Sequence, residues 1–374
     1  MKILEISNYS KGGCGVFTRA LGEAKLLSKK HEVKIFSSYY EKGTNEIMPA
    51  RDEQEGVEIQ RFPAKYLGGE SFMYWNFEKD ALEFSPDIII AHNYRHPCTL
   101  EALKVAKELR KKGKKVKVFL VTHAPFVEGN ITRSFFSKMS VFAYDKLIGP
   151  RTLNEFNKIL VISKWEIPYL IERGAEKERI VYIPNGIPDE FFKGKKGREE
   201  NKILLLARIA PKKKVETLIE AIPMIKDKKV KIEIVGPPEE PYYSKIVELA
   251  RKLKIENRVS FPGPVYDLKK KIAKIDSAKI FVLPSRVEGM PQSLIEAMAR
   301  EKIVIGSDSI AIRDIIKSGV NGYLFEFNNP KDLARKIDLA LKEKREKIKK
   351  NARESVQSFA WSKVIKQIEK VINS

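Results

Sequence analysis

Cysteine and histidine are scarce in this chain of 374 residues, which has two cysteines, Cys14 and Cys98, and four histidines. Two cysteines cannot build a disulfide framework or a four-cysteine zinc site. No apolar run approaches the roughly 18 residues that a membrane-spanning helix needs. The first glycine-rich loop lacks the G-x-G-x-x-G spacing of a dinucleotide site, and no Asp-x-Asp pair occurs anywhere. A diphosphate held through Mg or Mn on such a pair is therefore not expected, and neither a metal nor a cofactor is. Met1-Lys2 leads straight into Ile3-Leu4-Glu5-Ile6, a strand pattern rather than a leader. The expectation is a soluble, cytoplasmic protein. Aromatic stacking runs of the kind that single-stranded nucleic acid requires are missing too, so nucleic acid is not expected as a partner.

Positive charge is what the chain has in excess: 71 Lys+Arg against 49 Asp+Glu, a net +22. Residues 1–185 carry 30 basic and 23 acidic side chains, and residues 186–374 carry 41 and 26. Such a field attracts nucleotides, sugar phosphates, nucleic acid or anionic lipid headgroups. A second account stands beside it. Lysine outnumbers arginine by 52 to 19 and there are only 5 glutamines, as in hyperthermophile proteins with many solvated surface charges.

Short β-branched apolar runs alternate with helical patterns. In the first half they are 2–6, 32–38, 57–62, 87–92, 116–123, 158–163 and 180–184; several are apolar nearly throughout, as in a parallel sheet covered on both faces. Between the first two, Val16, Phe17, Ala20, Leu21, Ala24 and Leu27 make one helical face. The pattern restarts at 202–207, 231–235, 259–262, 280–284 and 303–306, so two parallel sheets with right-handed crossovers are expected. The seam falls in 185–201, rich in Gly, Pro and Lys.

Open α/β sheets bind ligands where their strands end, so the strand-end loops come first. Lys11-Gly12-Gly13-Cys14-Gly15 follows the first strand and opens a helix; it is either an anion-approaching turn or a plain glycine turn. Arg208, Lys212, Lys213 and Lys214 stand between a strand and a helix, suited to a diphosphate or merely solvated. Glu288 lies in a strand-end loop, and Glu296 follows eight positions later on a helix amid Leu294, Ile295, Ala297 and Met298, where a carboxylate needs a partner. A carboxylate accepts two hydroxyl hydrogen bonds at once, which suits the cis-diol of a ribose. Amides at Gly289, Met290 and Gln292 open that helix toward a phosphate or sugar. The bland alternative is a structural glutamate pair.

Glu288-Gly289, six residues, then Glu296-Ala297-Met298-Ala299 resembles the E-x7-E signature of family-4 retaining glycosyltransferases. Gly12-Gly13, Thr122-His123, Ile183-Pro184-Asn185-Gly186-Ile187, Arg208 to Lys213 and the turn 315–324 match in order, and Phe359-Ala360-Trp361 resembles the start of the family's C-terminal helix. The resemblance implies an α/β, GT-B-like fold, in which two Rossmann-like parallel-sheet domains face a central cleft and the last helix crosses back onto the first. Residues 1–187 would bind the acceptor, 188–358 the nucleotide sugar, and 359–374 would form that helix.

It further implies transfer of a sugar from a nucleotide diphosphate sugar to an acceptor hydroxyl with retention of configuration. Arg208 and Lys213 would neutralise the leaving diphosphate, Glu288 would orient the sugar, and Glu296 would hold the ribose. Gly12 and Gly13 would let the first domain's backbone approach the donor, and His123 would hydrogen-bond its sugar. Val265 belongs to the stretch expected near the base, and His92, ending a strand, is assigned to the acceptor. The acceptor would be a glycan, a glycolipid or a sugar phosphate; a fold-sharing nucleotide-sugar binder without turnover is the non-catalytic alternative. Six cations within Arg110–Lys117 and the aromatics Phe72, Tyr74, Trp75 and Phe77 suggest a peripheral contact with an anionic membrane. The chain departs from the family pattern at Ala207 and Lys214, where Gly is usual, at Ile310-Ala311 for Gly-Gly, and at Asp314 for Glu.

Overall fold

A computed structural model describes all residues except 12–14, 43–45, 67–72, 127–134, 195–196 and 343–345. Gly12, Gly13 and Phe72 lie outside the described residues. The chain divides into two compact units: one takes in Met1–Phe126, Thr132–Gly186 and Trp361–Ser374, and the other contains Ile187–Ala360.

The first unit is built on β1 (Lys2–Ser7), β2 (Glu32–Ser38), β3 (Arg51–Gln54), β4 (Val57–Phe62), a small β5 (Ala64–Tyr66) and β6 (Met73–Trp75) hairpin, β7 (Ile88–His92), β8 (Lys117–Val121), β9 (Lys158–Val161) and β10 (Ile180–Tyr182). Among the described residues its main sheet runs β10-β9-β8-β7-β1-β2-β4-β3, parallel except at β3. Ile3, Leu4, Ile6, Ile35, Ile89, Ile90, Val118 and Leu120 are all buried, which is why these strands read as unbroken apolar runs. The polar edge strand β3 and the β5–β6 hairpin escape the apolar pattern. Strand β8 stops two residues early, and Thr122, His123 and Ala124 leave the sheet with φ at +57° and +54° for the last two.

The second unit carries β11 (Lys202–Leu206), β12 (Lys231–Val235), β13 (Val259–Gly263), β14 (Ile280–Leu283), β15 (Ile303–Ser307) and β16 (Tyr323–Phe325) in the order β13-β12-β11-β14-β15-β16. Ile203, Leu205, Ile232, Ile234, Ile280, Val282 and Ile305 pack with Leu218, Ile219 and Ile337 from covering helices. In both sheets one strand, β1 or β11, is flanked by the strand that follows it and by the one that starts the return series. That is a topological switch point, and it opens a crevice at the carboxyl ends of β1/β7 and β11/β14.

The helix Trp361–Asn373 belongs to the first unit and buries Val364, Ile368 and Ile372. Its indole lies against Gly22 and Gly186, and a Cβ added at Gly22 would come within 2.5 Å of the ring. Glycine at 22 is thus a docking requirement, not a turn. Gly22→Ala should destabilise the first unit by about 1–3 kcal/mol through overpacking, read as a lowered midpoint in urea unfolding. An unchanged midpoint would show that the indole swings aside freely.

Candidate functional site

The loops after β11 and β14 lie side by side because those strands pair, and the Arg286 amide donates to the Lys212 carbonyl at 2.9 Å. This brings together residues 75 positions apart: Lys213 Nζ donates to Glu288 Oε1 at 2.6 Å, with both side chains mostly buried. Arg208 stays half-exposed, its Nη1 3.8 Å from Glu239 Oε2. Lys214 caps the next helix with φ +50°, a left-handed position that glycine fills without strain and lysine does not. Across the sheet Gly236 passes so close to Ala207 that a Cβ at 236 would strike the Ala207 carbonyl.

Glu296 lies on the helix Gln292–Ala299 and is buried, and burial raises its carboxyl above the usual range against the lowering pull of Lys271. Lys271, from the helix Leu268–Ser277, donates to Glu296 Oε1 at 2.6 Å. Sequence reading missed Lys271, which lies 25 positions from its partner with no local signal. The expected opening of amides is corrected at Gln292, whose N–H donates to the Met290 carbonyl at 2.9 Å. Gly289 and Met290 form the turn between Glu288 and Pro291, and the Met290 side chain is buried. Val265 follows β13 half-buried, beside the exposed Tyr266.

In the first unit, β1, the end of β7 and the loop after β8 assemble a polar chain in which Glu5 and His92 are buried and His123 is part-buried. Glu5 Oε2 and His92 Nε2 are 2.7 Å apart, and His92 Nδ1 and His123 Nε2 are 2.8 Å apart. Beside them Arg19 Nε donates to Glu23 Oε1 at 2.6 Å, and Arg19 Nη1 donates to the Ile183 carbonyl at 2.9 Å and Asn185 Oδ1 at 3.1 Å. The Pro184-Asn185-Gly186 segment is thereby tied to the first helix. Burial pushes the Glu5 carboxyl well above its usual range, pushes His92 down to about 4 and holds His123 well below normal, so both imidazoles are neutral at pH 7. The assignment of His92 to the acceptor is corrected here: the ring is wholly buried, and both nitrogens are occupied by Glu5 and His123.

The loop that carries His123 is held by Glu166, which sequence reading also missed. Glu166 accepts from the Thr122 hydroxyl at 2.5 Å and from the amides of Ala124, Ile162 and Ser163 at 2.8, 2.9 and 3.0 Å. Four donors on one carboxylate pin two consecutive left-handed residues, the kind of strain that persists only where surroundings over-determine it.

Residues 11–191 match the family described as Glycosyltransferase Family 4, and residues 186–355 match Glycosyl transferases group 1. The chain belongs to the family-4 glycosyltransferases. It is 27% identical over 338 residues to an uncharacterized glycosyltransferase of Methanocaldococcus jannaschii, covering 84% of each chain. It is also 25% identical over 217 residues to the N,N'-diacetylbacillosaminyl-diphospho-undecaprenol alpha-1,3-N-acetylgalactosaminyltransferase of Campylobacter jejuni, covering 58% of this chain and 56% of that one. Among solved structures it resembles HepE of Anabaena in complex with UDP, with a TM-score of 0.81, 18% identity and full coverage of both chains. The sucrose-phosphate synthase of Thermosynechococcus elongatus superposes with a TM-score of 0.75 at 19% identity, over all of this chain and 98% of that one. The fold is GT-B.

The buried Glu166 carries a pH signature. Burial raises its carboxyl to about 7 despite its four donors. A raised acid contributes stability below its unfolded value near 4.3 and loses it as pH rises through 7, about 4 kcal/mol in all. Glu166→Gln should therefore lower stability at pH 5 yet flatten the decline between pH 5 and 8, as read by chemical denaturation across that range. An equal slope in the variant would assign the decline to other buried acids.

Proposed function

We propose that this glycosyltransferase moves a hexose-type sugar from a nucleotide diphosphate sugar to an acceptor hydroxyl with retention of configuration, without a metal. The observation that carries the reading is the Lys213–Glu288 pair at the β11/β14 crevice, with Arg208 on the same loop. A diphosphate leaving a sugar carbon gains negative charge while that carbon becomes oxocarbenium-like. Cations fixed in place beforehand stabilise that charge more in the transition state than in the ground state. Lys213 is fixed by Glu288, which in turn presents a carboxylate for the sugar hydroxyls. Glu296, oriented by Lys271, takes the ribose diol, and His123 hydrogen-bonds the sugar. The bond from the sugar carbon to the phosphate oxygen breaks, the acceptor oxygen bonds that carbon on the same face, and its proton passes to the departing phosphate oxygen. Gly12 and Gly13 remain assigned to backbone approach to the donor, and Val265 to the base.

Lys213→Ala and Glu296→Ala should each cost about 10²–10³ in turnover with the fold retained. A thermal-shift screen of UDP-, GDP- and ADP-sugars identifies the donor, since a ligand that binds the folded state raises the melting temperature. Turnover should survive a chelator. Near-wild-type rates in both variants would overturn the donor-site assignment, and binding without turnover would favour a non-catalytic nucleotide-sugar protein.

For the acceptor we propose a lipid-linked saccharide, reached by peripheral contact with the anionic cytoplasmic face of a membrane. The expected apolar edge is corrected, since Trp75 and Phe77 are core residues and, of Tyr74, Trp75 and Phe77, Tyr74 alone is exposed. Exposed apolar groups stand elsewhere: Met139, Phe142, Leu147 and Ile148. Lys138, Lys146 and Arg151 are exposed among them, whereas Asp145 is buried against Arg95 Nε at 2.7 Å and Arg173 Nε at 2.6 Å. An apolar face flanked by cations suits an anionic interface. The protein should co-sediment with phosphatidylglycerol vesicles at low salt and not with phosphatidylcholine, and Phe142→Ser with Leu147→Ser should abolish this. A protein left in the supernatant under the first condition makes a soluble sugar or sugar phosphate the acceptor.

A further inference from the structure

The polar chain Glu5–His92–His123 has a proton to place, and the geometry restricts where it goes. Glu5, Glu23 and His92 present ligand atoms that all lie within 4.8 Å of one another, every one of them buried. Arg19 is the cation beside them, and it is committed to Glu23, with Nε and Nη2 each 2.6 Å from Oε1. Two buried carboxylates at that separation, with one guanidinium in contact with Glu23 alone among them, do not both ionise. Glu23, in direct contact with Arg19, is the ion. Among the described residues Glu5 meets the neutral His92 ring through Oε2; Glu5 Oε1 and Glu23 Oε2 each lack a hydrogen-bond partner, but Glu23 has the guanidinium in contact to offset its charge and Glu5 does not. A bare oxygen is far less costly on a neutral acid than on a buried anion.

We infer that Glu5 is a neutral carboxylic acid and a positioning residue: it donates its proton to His92 Nε2 and thereby makes His123 a hydrogen-bond donor through Nδ1. The chain of consequences is short. With Nε2 accepting from Glu5, neutral His92 carries its proton on Nδ1 and donates it across 2.8 Å to His123 Nε2. Neutral His123 then carries its own proton on Nδ1, leaving that group to donate to a substrate oxygen and never to accept from a hydroxyl. The tautomer is set by the hydrogen bond made at the opposite nitrogen. The depressed basicity of both rings, in which His92, Arg19, His96 and Lys42 join the effect of burial at His123, agrees with this arrangement. The part of the inference that concerns substrate rests on the glycosyl-transfer reading. The protonation pattern does not.

The test is nitrogen NMR of the full chain labelled with ¹⁵N-histidine at pH 7, where four side chains give a countable spectrum. His92→Phe and His123→Ala identify the two signals by loss. Nδ1–H on both rings supports the inference, and Nε2–H on either overturns it, whatever the enzyme's substrate proves to be. Glu5→Gln should keep the pattern, because its amide N–H also donates to His92 Nε2. Glu5→Leu should lose the pattern and lower kcat by about 10–100-fold with KM little changed, short of the 10²–10³ that follows loss of a transition-state donor. Should Glu5→Leu keep the Nδ1–H pattern, or lose it with kcat intact, Glu5 does not position His123.

Discussion

Parallel pairing around a central strand is the constraint on which the rest depends. Because β1 pairs with both β2 and β7, and β11 with both β12 and β14, every flanking strand ends on the same edge of its sheet. Side chains far apart in sequence then meet without long loops: Lys213 with Glu288, and Glu5 with His92. The strands tolerate this only because they are apolar on both faces, so the polar groups of each unit are driven to the strand ends. Glu233 inside β12 is one exception, and Glu5 is another. It lies inside β1, wholly buried, where an apolar residue would pack without a partner. Its place in the sheet is paid for by the proton and hydrogen bond it shares with His92.

Charge is handled differently in the two units. In the second, the ion pairs Lys213–Glu288 and Lys271–Glu296 set a cation against each carboxylate at 2.6 Å. Each pair keeps its members oriented while leaving a cation or a carboxylate for a polyanionic, hydroxyl-rich ligand to compete for. In the first unit the groups near His123 are neutral imidazoles and a raised acid, so they carry hydrogen bonds rather than net charge. A diphosphate calls for the former. A sugar, uncharged and dense in hydroxyls, calls for directional donors and acceptors.

The fold was legible where the physics is local. Strands such as Ile88–His92 and Ile280–Leu283 announce themselves as short apolar runs, and the helix Gly15–Leu27 by the spacing of Phe17, Ala20, Ala24 and Leu27. Glu296 was legible as a charge misplaced in an apolar face. What stayed hidden depends on contacts across the chain. Lys271 is one lysine among 52 until folding sets it against Glu296. Glu166 looks like an ordinary helix-opening acid until four donors converge on it. Trp75 and Phe77 read as an apolar edge, yet both are buried, Trp75 stacked on Phe62 and Phe77 tilted against it.

His92 shows why a strand-end residue need not be a contact residue. Its position, last in β7, is that of a ligand-facing group. Neighbouring β8 ends at Val121, where the loop that lifts His123 outward begins, and the two left-handed residues His123 and Ala124 turn that loop across the β7 end. The loop makes His123 the outer ring and His92 the inner one. Glu166 stabilises this strained turn from one side, while the Glu5–His92 chain fixes the ring's proton from the other. Position and protonation of one imidazole are thus set by two fully buried acids on different elements. A sequence pattern reveals the imidazole. Only the folded chain reveals what holds it.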